Sequence, residues 1–426
     1  MRPLAAAAEG KGTLNLVHRA GVIGARYGVG PRRMERRLAS VLEIVQRYGC
    51  GATLPVTATA VERHPSAIAR YAALGIEFAA HGYTHVDHAG LSVVDQIEQL
   101  GRARRVLEAN GIPIAGFRAP YLRWSDATLH ALRENGFLYD SSQAMNWPID
   151  PELETDAYRR GLAFCAAVPA TKYPVLPRSE DGIVRIPCCL PDDEAIVDRL
   201  RLSSPEAIGE FWLRIQRETY ELGELFTLAL HPERIEPCAS ALETVLETAR
   251  AARPSVWIAR LAEIARWWSD RASAAVTVRD HDPGRLRVSL QGPRGLTLLA
   301  RGLEIRAPEP WADGYVRVDA HDLDLRVERR PFVGVHPSAP RSLTSFLREQ
   351  GYIVEVSRSP DRYTCYLARE GFSREDERPL LTELEGGRFP LLRLGRWPDG
   401  ARSALSVTGD VDALTVWDYA LRFLGR

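Results

Sequence analysis

The pattern that most constrains this chain is an alternation of helical and extended segments between residues 33 and 270. Apolar residues recur with helical spacing over residues 33–48, and a short extended run at residues 52–56 follows. Residues 225–230 are apolar except for Thr227, which is typical of a strand buried on both faces. The alternation predicts an α/β fold with a parallel sheet, either open or closed into a barrel.

The same section continues with further helix and strand signals. Ser92 and Ser125 are candidate N-caps of helices that Gly111 and Gly136 end, and a Ser-Pro pair at residue 204 opens another helix. Strands are predicted at residues 76–80, 114–117 and 137–139, and helices at residues 66–73, 240–252 and 256–268. Active sites of such folds lie at the carboxyl ends of the strands, so the polar residues just after each strand are the candidates for function.

The pattern changes after about residue 274, where short runs alternate apolar and polar residues and indicate an antiparallel β unit. Its strands are predicted at residues 275–278, 285–290, 315–318 and 323–327, before a helix at 342–350 and strands at 352–356 and 363–367. A strand at 404–408 and a helix at 416–424 end the chain. A length of 426 residues exceeds a typical single domain and suits two, and we expect the first to comprise residues 1–272.

Composition narrows the classes of function. The chain has 55 basic and 55 acidic side chains, so no basic excess favours nucleic acid as a partner. No window approaches the roughly 18 continuous apolar residues of a membrane span, and the N-terminus lacks the apolar stretch of a secretory signal. Six cysteines match no zinc-finger spacing, and we expect a cytoplasmic protein. The oligomeric state is not indicated.

The predicted strand at residues 76–80 is followed directly by His81 and, four residues later, by His85. Two imidazoles at this spacing can reach one metal ion from a tight turn. The zinc-peptidase pattern requires Glu after the first His, and Gly82 stands there instead. The alternative is a pair of solvated loop histidines.

Three segments together resemble the polysaccharide deacetylase (NodB-homology) family. IEFAAHGYTHVDHAGLS is similar to the family's metal-binding histidine motif, and GFRAPYLRW to its Arg-x-Pro-Tyr motif with Arg118 and Tyr121. LFTLALHPERI is similar to the late Leu-x-His motif and contains His231. The resemblance covers about residues 14–270 and implies a distorted (β/α) TIM-like barrel, with residues 273–398 as a β-rich accessory domain.

The family's opening strand, which ends in two acidic residues, has no counterpart before His81. WPDGARSALSVTGDVDALTVWDY near the C-terminus resembles it, with Asp410 and Asp412 as the acid pair and Gly409 where the family usually has an aromatic residue. We therefore expect a circular permutation, in which residues 399–426 complete the barrel. The alternatives are the truncated start of a second copy and an unrelated acidic turn.

The resemblance implies a role for each matched residue. Asp412, His81 and His85 would hold a divalent metal, most readily zinc, although cobalt, nickel or ferrous iron also suit this ligand set. Asp410 would be the general base, His231 the general acid, and Arg118 the bidentate partner of Asp410 or another carboxylate. Tyr121 would line the sugar pocket. Apart from the resemblance, Trp124 could stack on a sugar face, although core packing is the more frequent fate of a tryptophan.

Several of these residues also have structural interpretations. His231 could be a satisfied histidine at a strand end, and Arg118 could belong to a structural ion pair. His88 is expected to be solvated. Asp192 and Asp193 are expected to open a helix, although one of them could pair with Arg118.

The expected function is a metal-dependent hydrolase that removes an N-acetyl group from an amino sugar or a sugar-containing substrate. One alternative is an amidase that acts on another small C–N substrate. The other is a barrel that binds a glycan or a protein without turnover.

Overall fold

A computed structural model describes residues 24, 26–282, 284–318, 320 and 322–422. The predicted fold class is confirmed, because parallel strands alternate with helices in a distorted (β/α) barrel and a β-rich region is added to it. Residues 1–23 and 423–424, which include the end of the predicted last helix, lie outside the described residues.

The strands fall into three stretches of the chain. The first stretch contains β1 (Ala52–Val56), β2 (Glu77–Ala80), β3 (Gly116–Phe117), β4 (Tyr139–Asp140), β5 (Ala144–Asn146), β6 (Val168–Pro169), β7 (Arg178–Glu180), β8 (Ile183–Arg185), β9 (Cys188–Leu190), β10 (Leu225–Ala229) and β11 (Val256–Ile258). The second contains β12 (Ala275–Asp282), β13 (Arg285–Gln291), β14 (Leu298–Arg301), β15 (Glu309–Pro310), β16 (Tyr315–Val318), β17 (Asp322–Arg326), β18 (Arg330–Val335), β19 (Val354–Val356), β20 (Tyr363–Leu367) and β21 (Leu391–Leu394). The third is β22 (Ser403–Thr408).

The α-helices follow the strands they connect. In chain order they are α1 (Arg32–Arg47), α2 (Ala58–Arg63), α3 (Pro65–Ala73), α4 (Val93–Ala109), α5 (Asp126–Glu134), α6 (Asp156–Phe164), α7 (Pro205–Glu221), α8 (Ile235–Ala251), α9 (Leu261–Ala272), α10 (Arg341–Glu349), α11 (Glu377–Gly386) and α12 (Val416–Arg422). The predicted N-caps of α4 and α7 are confirmed, since the side chains of Ser92 and Ser204 accept hydrogen bonds from the first turns.

The barrel sheet has the strand order β10-β22-β1-β2-β3-β4-β8-β7. Each neighbouring pair is parallel except β7 and β8, which form an antiparallel edge. Strand β22 therefore lies between β1 and β10, although about 350 residues separate it from β1. Its amino-terminal half also pairs with β11.

A second, small parallel sheet with the order β6-β5-β9 lies beside β10. The N–H group of Cys189 on β9 donates to the hydroxyl of Thr227 on β10, and that hydroxyl donates to the carbonyl of Pro187. The single polar residue of this apolar strand thus satisfies backbone groups where the main sheet is not continued.

The burial of β22 explains why this strand holds its place in the sheet. All six of its residues are buried, and Leu405 and Val407 pack in one apolar cluster with Phe226 and Leu228 of β10. Helices α7 and α8 cover this cluster from outside. A strand buried on both faces in this way is typical of parallel sheets.

Gly409 follows β22 at a point where the backbones are in close contact. A β-carbon at this position would lie 1.6 Å from the carbonyl oxygen of Leu230, which directly follows β10. The close approach requires glycine at this position, because no side chain fits there.

One predicted helix is wrong. Residues 256–268 form strand β11, the connecting residues Ala259 and Arg260, and only then helix α9. Residues Val256–Ile258 pair with Ser403–Leu405. A partner so distant in the sequence leaves no local signal, and the helical periodicity belongs only to the second half of the segment. Helix α8 also begins at Ile235 rather than at residue 240.

The β-rich region contains three further sheets. Two are antiparallel, with the orders β12-β13-β17 and β15-β16-β14-β21. In the third, β18 pairs in parallel with β19 and β20. Trp397 is fully buried between this region and the barrel, where its indole N–H donates to the carbonyl of Gly223. No helix in the described part of the chain is long and apolar enough to cross a membrane.

We predict that Gly409→Ala lowers the free energy of unfolding by about 1–3 kcal/mol, because the new methyl group must push the backbones after β22 and β10 apart. Gly371→Ala is the matched control, since nothing lies within 4 Å of a β-carbon there. Urea denaturation measures both variants. Equal stability of Gly409→Ala and the parent would contradict the close packing of β22 against β10.

Candidate active site

Three strands of the barrel end at one edge and deliver polar residues to it. His81 follows β2, His231 lies two residues after β10, and Asp410 and Asp412 follow β22. Gly82 adopts a φ of +82°, which turns the chain after His81 so that His85 returns to the same place. The parallel pairing of the strands therefore assembles residues from distant parts of the sequence.

His81, His85 and Asp412 form a compact group, termed the metal group. The Nε2 atoms of His81 and His85 each lie 3.4 Å from Oδ1 of Asp412, and the two ring centres are 5.1 Å apart. Both histidines are buried, so the alternative of solvated loop histidines is wrong. Nδ1 of His81 donates to the carbonyl of Arg118 at 2.8 Å, which directs the lone pair of Nε2 towards Asp412 in the neutral ring.

This group fits a divalent metal ion. Ligand atoms at zinc-ligand distances in a tetrahedral site are separated by about 3.3–3.4 Å, as these are. Oδ1 of Asp412 is buried and accepts no hydrogen bond within the described residues, so it is free to coordinate. Burial, together with the charge of Arg422, lowers the pKa of His85 to about 3, which keeps its ring neutral. Burial alone would raise the pKa of Asp412, but Arg422 and the histidines hold it well below the ordinary value.

Asp410 lies beside this group and contacts Arg118. Nη1 of Arg118 donates to Oδ1 of Asp410 at 3.0 Å, while Nε and Nη2 donate to the backbone and hydroxyl oxygens of Ser141. The expected bidentate contact is therefore wrong, because Ser141 takes the other donors of the guanidinium. Burial would raise the pKa of Asp410, but the neighbouring His81 and Arg118 lower it, so the carboxylate stays ionised.

His231 is held by hydrogen bonds to Asp193, a contact that the sequence did not predict. Nδ1 of His231 lies 2.6 Å from Oδ1 of Asp193, and Oδ2 of Asp193 accepts the backbone N–H of His231. The expectation that Asp193 opens a helix or pairs with Arg118 is wrong. Burial opposes protonation of His231, but the charge and hydrogen bond of Asp193 outweigh it and hold the pKa of His231 well above its ordinary value.

Asp192, the neighbour of Asp193, accepts the backbone N–H of Ala195 and so does begin a short helical turn, Ala195–Arg199. Burial and the adjacent charge of Asp193 raise the pKa of Asp192 to about 6. Asp192 also has a carboxylate oxygen within 4.8 Å of His231 and Asp193, but within the described residues it is Asp193 that makes the hydrogen bonds to His231.

A cavity of about 150 Å³ opens over the two groups. Tyr121 forms part of its wall, with its ring 4.5 Å from that of His85 in an edge-to-face contact and its backbone at a φ of +61°. Trp124 does not line this cavity, which corrects the expected sugar contact. The guanidinium of Arg185 lies 3.6 Å from the centre of the Trp124 indole and holds that ring against the barrel core.

His88 differs from its predicted environment, and Arg422 was not singled out by the sequence. His88 is fully buried rather than solvated, and burial lowers its pKa to about 3. Arg422, on α12, contacts both Asp412 and His85. No motif of the sequence singles out Arg422, because its position depends on how the last helix packs against the barrel.

The sequence comparisons find relatives for the first half of the barrel. Residues 20–139 match the family model described as polysaccharide deacetylase, a match that contains His81, His85 and Arg118 and ends before His231. A peptidoglycan deacetylase-like protein of Gibberella zeae is 32% identical over 126 residues, or 29% of this chain. That match spans 35% of the relative's length.

Two crystal structures also align with the chain. A polysaccharide deacetylase of Mycobacterium smegmatis has 25% identity and a TM-score of 0.42, and the alignment covers 54% of this chain and 76% of that one. A polysaccharide deacetylase of Pseudomonas aeruginosa PAO1 has 22% identity and a TM-score of 0.44, over 55% and 72% of the two chains.

We predict that Asp193→Asn lowers the pKa of His231 by at least about one unit, because it removes the charge that opposes the effect of burial. In the parent, the ion pair between Asp193 and His231 stabilises the fold fully at pH values below about 6.5, the ordinary histidine pKa. This stabilisation is lost as the pH rises through the raised pKa of His231 in the folded protein. NMR titration of the His231 ring measures the shift.

The control for this titration is Asp150→Asn, which removes an exposed carboxylate that pairs with Arg214 rather than with His231. It should leave the His231 titration unchanged. The assignment of Asp193 fails if His231 titrates at the same pH in Asp193→Asn and in the parent.

Proposed function

Because this chain belongs to the polysaccharide deacetylase family, we propose that it is a metal-dependent hydrolase that removes the N-acetyl group of an amino-sugar unit. The observation that carries the proposal is the equal 3.4 Å spacing of Asp412 Oδ1 from the Nε2 atoms of His81 and His85. Two imidazoles and one carboxylate leave coordination positions open for water and substrate, as catalytic metal sites do.

The metal would be held by Nε2 of His81, Nε2 of His85 and Oδ1 of Asp412. A divalent ion in such a site polarises an acyl oxygen and makes water a stronger nucleophile at neutral pH. Zinc suits two histidines and one aspartate, and cobalt, nickel or ferrous iron are also compatible with them.

Asp410 and His231 carry the proton transfers in this proposal. Asp410 is ionised and lies 3.7 Å from Nε2 of His81, so it adjoins the metal group without belonging to it. It would accept a proton from the attacking water, and the contact with Arg118 would keep its carboxylate in position. Asp193 raises the pKa of His231 and so favours its protonated form. His231 would donate a proton to the departing amine, because an amine anion is a poor leaving group.

The cavity favours a small substrate or one sugar unit of a larger one. Its volume of about 150 Å³ lies below the usual range of pockets for drug-sized ligands. Tyr121, Tyr158 and Phe164 supply aromatic walls, and aromatic rings pack well against the apolar faces of sugars. The same size supports the second candidate function, an amidase for a small non-sugar C–N substrate.

We further propose that the order of the elements arose by circular permutation. The support is that β22 lies between β1 and β10, at the position in the sheet where an opening strand would stand. Residues 399–426 would then replace a strand and helix that the family carries at the start of the barrel.

We predict that Asp412→Asn abolishes stoichiometric zinc binding and deacetylation together, because a neutral amide is a much poorer ligand than a carboxylate. Metal content after dialysis and acetate release from N-acetylated monosaccharides measure the two effects. Glu43→Gln, which alters an exposed carboxylate on α1, is the control. Retained zinc in Asp412→Asn would rule out Asp412 as a ligand.

Asp410→Asn should give a different result from Asp412→Asn. We expect this variant to retain zinc but to have a kcat about 10²- to 10⁴-fold lower than the parent, because only the proton acceptor is removed. Steady-state kinetics with N-acetylated monosaccharides and chitin oligomers measure kcat and also separate the candidate substrates. A kcat close to that of the parent would exclude Asp410 as the general base.

A further inference from the structure

Arg422 places a cation directly on the proposed metal ligands. Its Nη1 donates to Oδ2 of Asp412 at 2.7 Å, and its Nη2 donates to Nε2 of His85 at 2.8 Å. The side chain is largely buried, and its guanidinium lies 4.9 Å above the ring of Tyr419 on the same helix. Both contacts therefore form inside the cavity rather than at its solvent rim.

The contact with His85 competes with metal binding for a single lone pair. A guanidinium has donors and no acceptor, so Nε2 of His85 must be the acceptor in this contact. The same lone pair would coordinate a metal, since Nε2 of His85 is the atom that lies 3.4 Å from Oδ1 of Asp412. His85 cannot serve Arg422 and a metal ion at the same time.

The contact with Asp412 does not compete in the same way. Oδ2 accepts from Arg422, whereas Oδ1 faces the two histidines and accepts no hydrogen bond within the described residues. A carboxylate can coordinate through one oxygen and keep an arginine on the other. Arg422 can thus keep its hydrogen bond to Asp412 while its hydrogen bond to His85 is broken.

Charge reinforces the competition for His85. Arg422 and Asp412 form an ion pair in which both side chains are largely buried. A divalent ion between the histidines would lie close to this guanidinium, and repulsion between like charges is strong where water is excluded. The removal of Arg422 should therefore favour the metal for two separate reasons.

We propose that Arg422 is an internal cation that competes with the metal for His85 and Asp412, so that the ion binds only when Arg422 gives up its contact with His85. This inference rests on the proposed metal site. The position of α12 would then influence metal binding, because this helix carries Arg422 and determines how readily its guanidinium reaches His85.

The test compares zinc affinity in Arg422→Met, Arg422→Gln and the parent by competition with a chromogenic chelator. Both variants remove the charge, and Arg422→Gln keeps a polar head group in case Arg422→Met fails to fold. We expect zinc to bind about ten- to a hundredfold more tightly in both variants, which is the effect of removing one competing hydrogen bond from a charged group. Arg63→Gln is the matched control, because Arg63 pairs with Asp418 on the same helix, and Arg63 does not line the cavity.

Thermal unfolding provides a readout that does not depend on activity. Without metal, the Arg422 variants should melt below the parent because Asp412 loses its counter-charge. Added zinc should raise their melting temperature by more than it raises that of the parent. A merely structural role for Arg422 would lower stability with and without zinc equally.

Two outcomes would overturn the inference. If zinc binds at His81, His85 and Asp412 but no more tightly in the Arg422 variants than in the parent, Arg422 does not compete and the proposed function is unaffected. If neither the parent nor the Arg422 variants bind zinc at these residues, both the proposed metal-dependent function and the competition are wrong.

Discussion

The candidate site depends on the parallel pairing of β22 with both β1 and β10. This pairing brings Asp410 and Asp412 to the same edge as His81, His85 and His231, although His81 and Asp412 are 331 positions apart in the sequence. The burial of all six residues of β22 supplies the apolar stabilisation, and Gly409 permits the close approach that follows the strand. Among the described residues, β22 leads to the carboxylate that lies against His81 and His85, because Asp412 follows this strand.

Much of the barrel was predictable because its signals are local. The N-caps Ser92 and Ser204, the apolar strand that becomes β10 and the glycine after His81 each determine the conformation of only a few neighbouring residues. The residues that form the metal group could be proposed because each directly follows or lies near the end of a predicted strand.

The features that the sequence did not reveal all depend on distant partners. Strand β11 exists because it pairs with β22, and its own sequence continued a helical pattern. Asp193 is oriented by His231, and Trp124 faces Arg185 instead of the cavity. Arg422 reaches the metal group through the packing of a helix. Tertiary contacts of this kind override local preference, and one sequence carries no record of them.

Zinc anomalous diffraction from crystals grown with the ion tests the central claim most directly. The account predicts one strong peak about 2.0–2.2 Å from Nε2 of His81, Nε2 of His85 and Oδ1 of Asp412. It also predicts that Nη2 of Arg422 has moved away from His85 in those crystals. Crystals that show no peak between these three side chains, or a peak coordinated by other residues, would contradict the account.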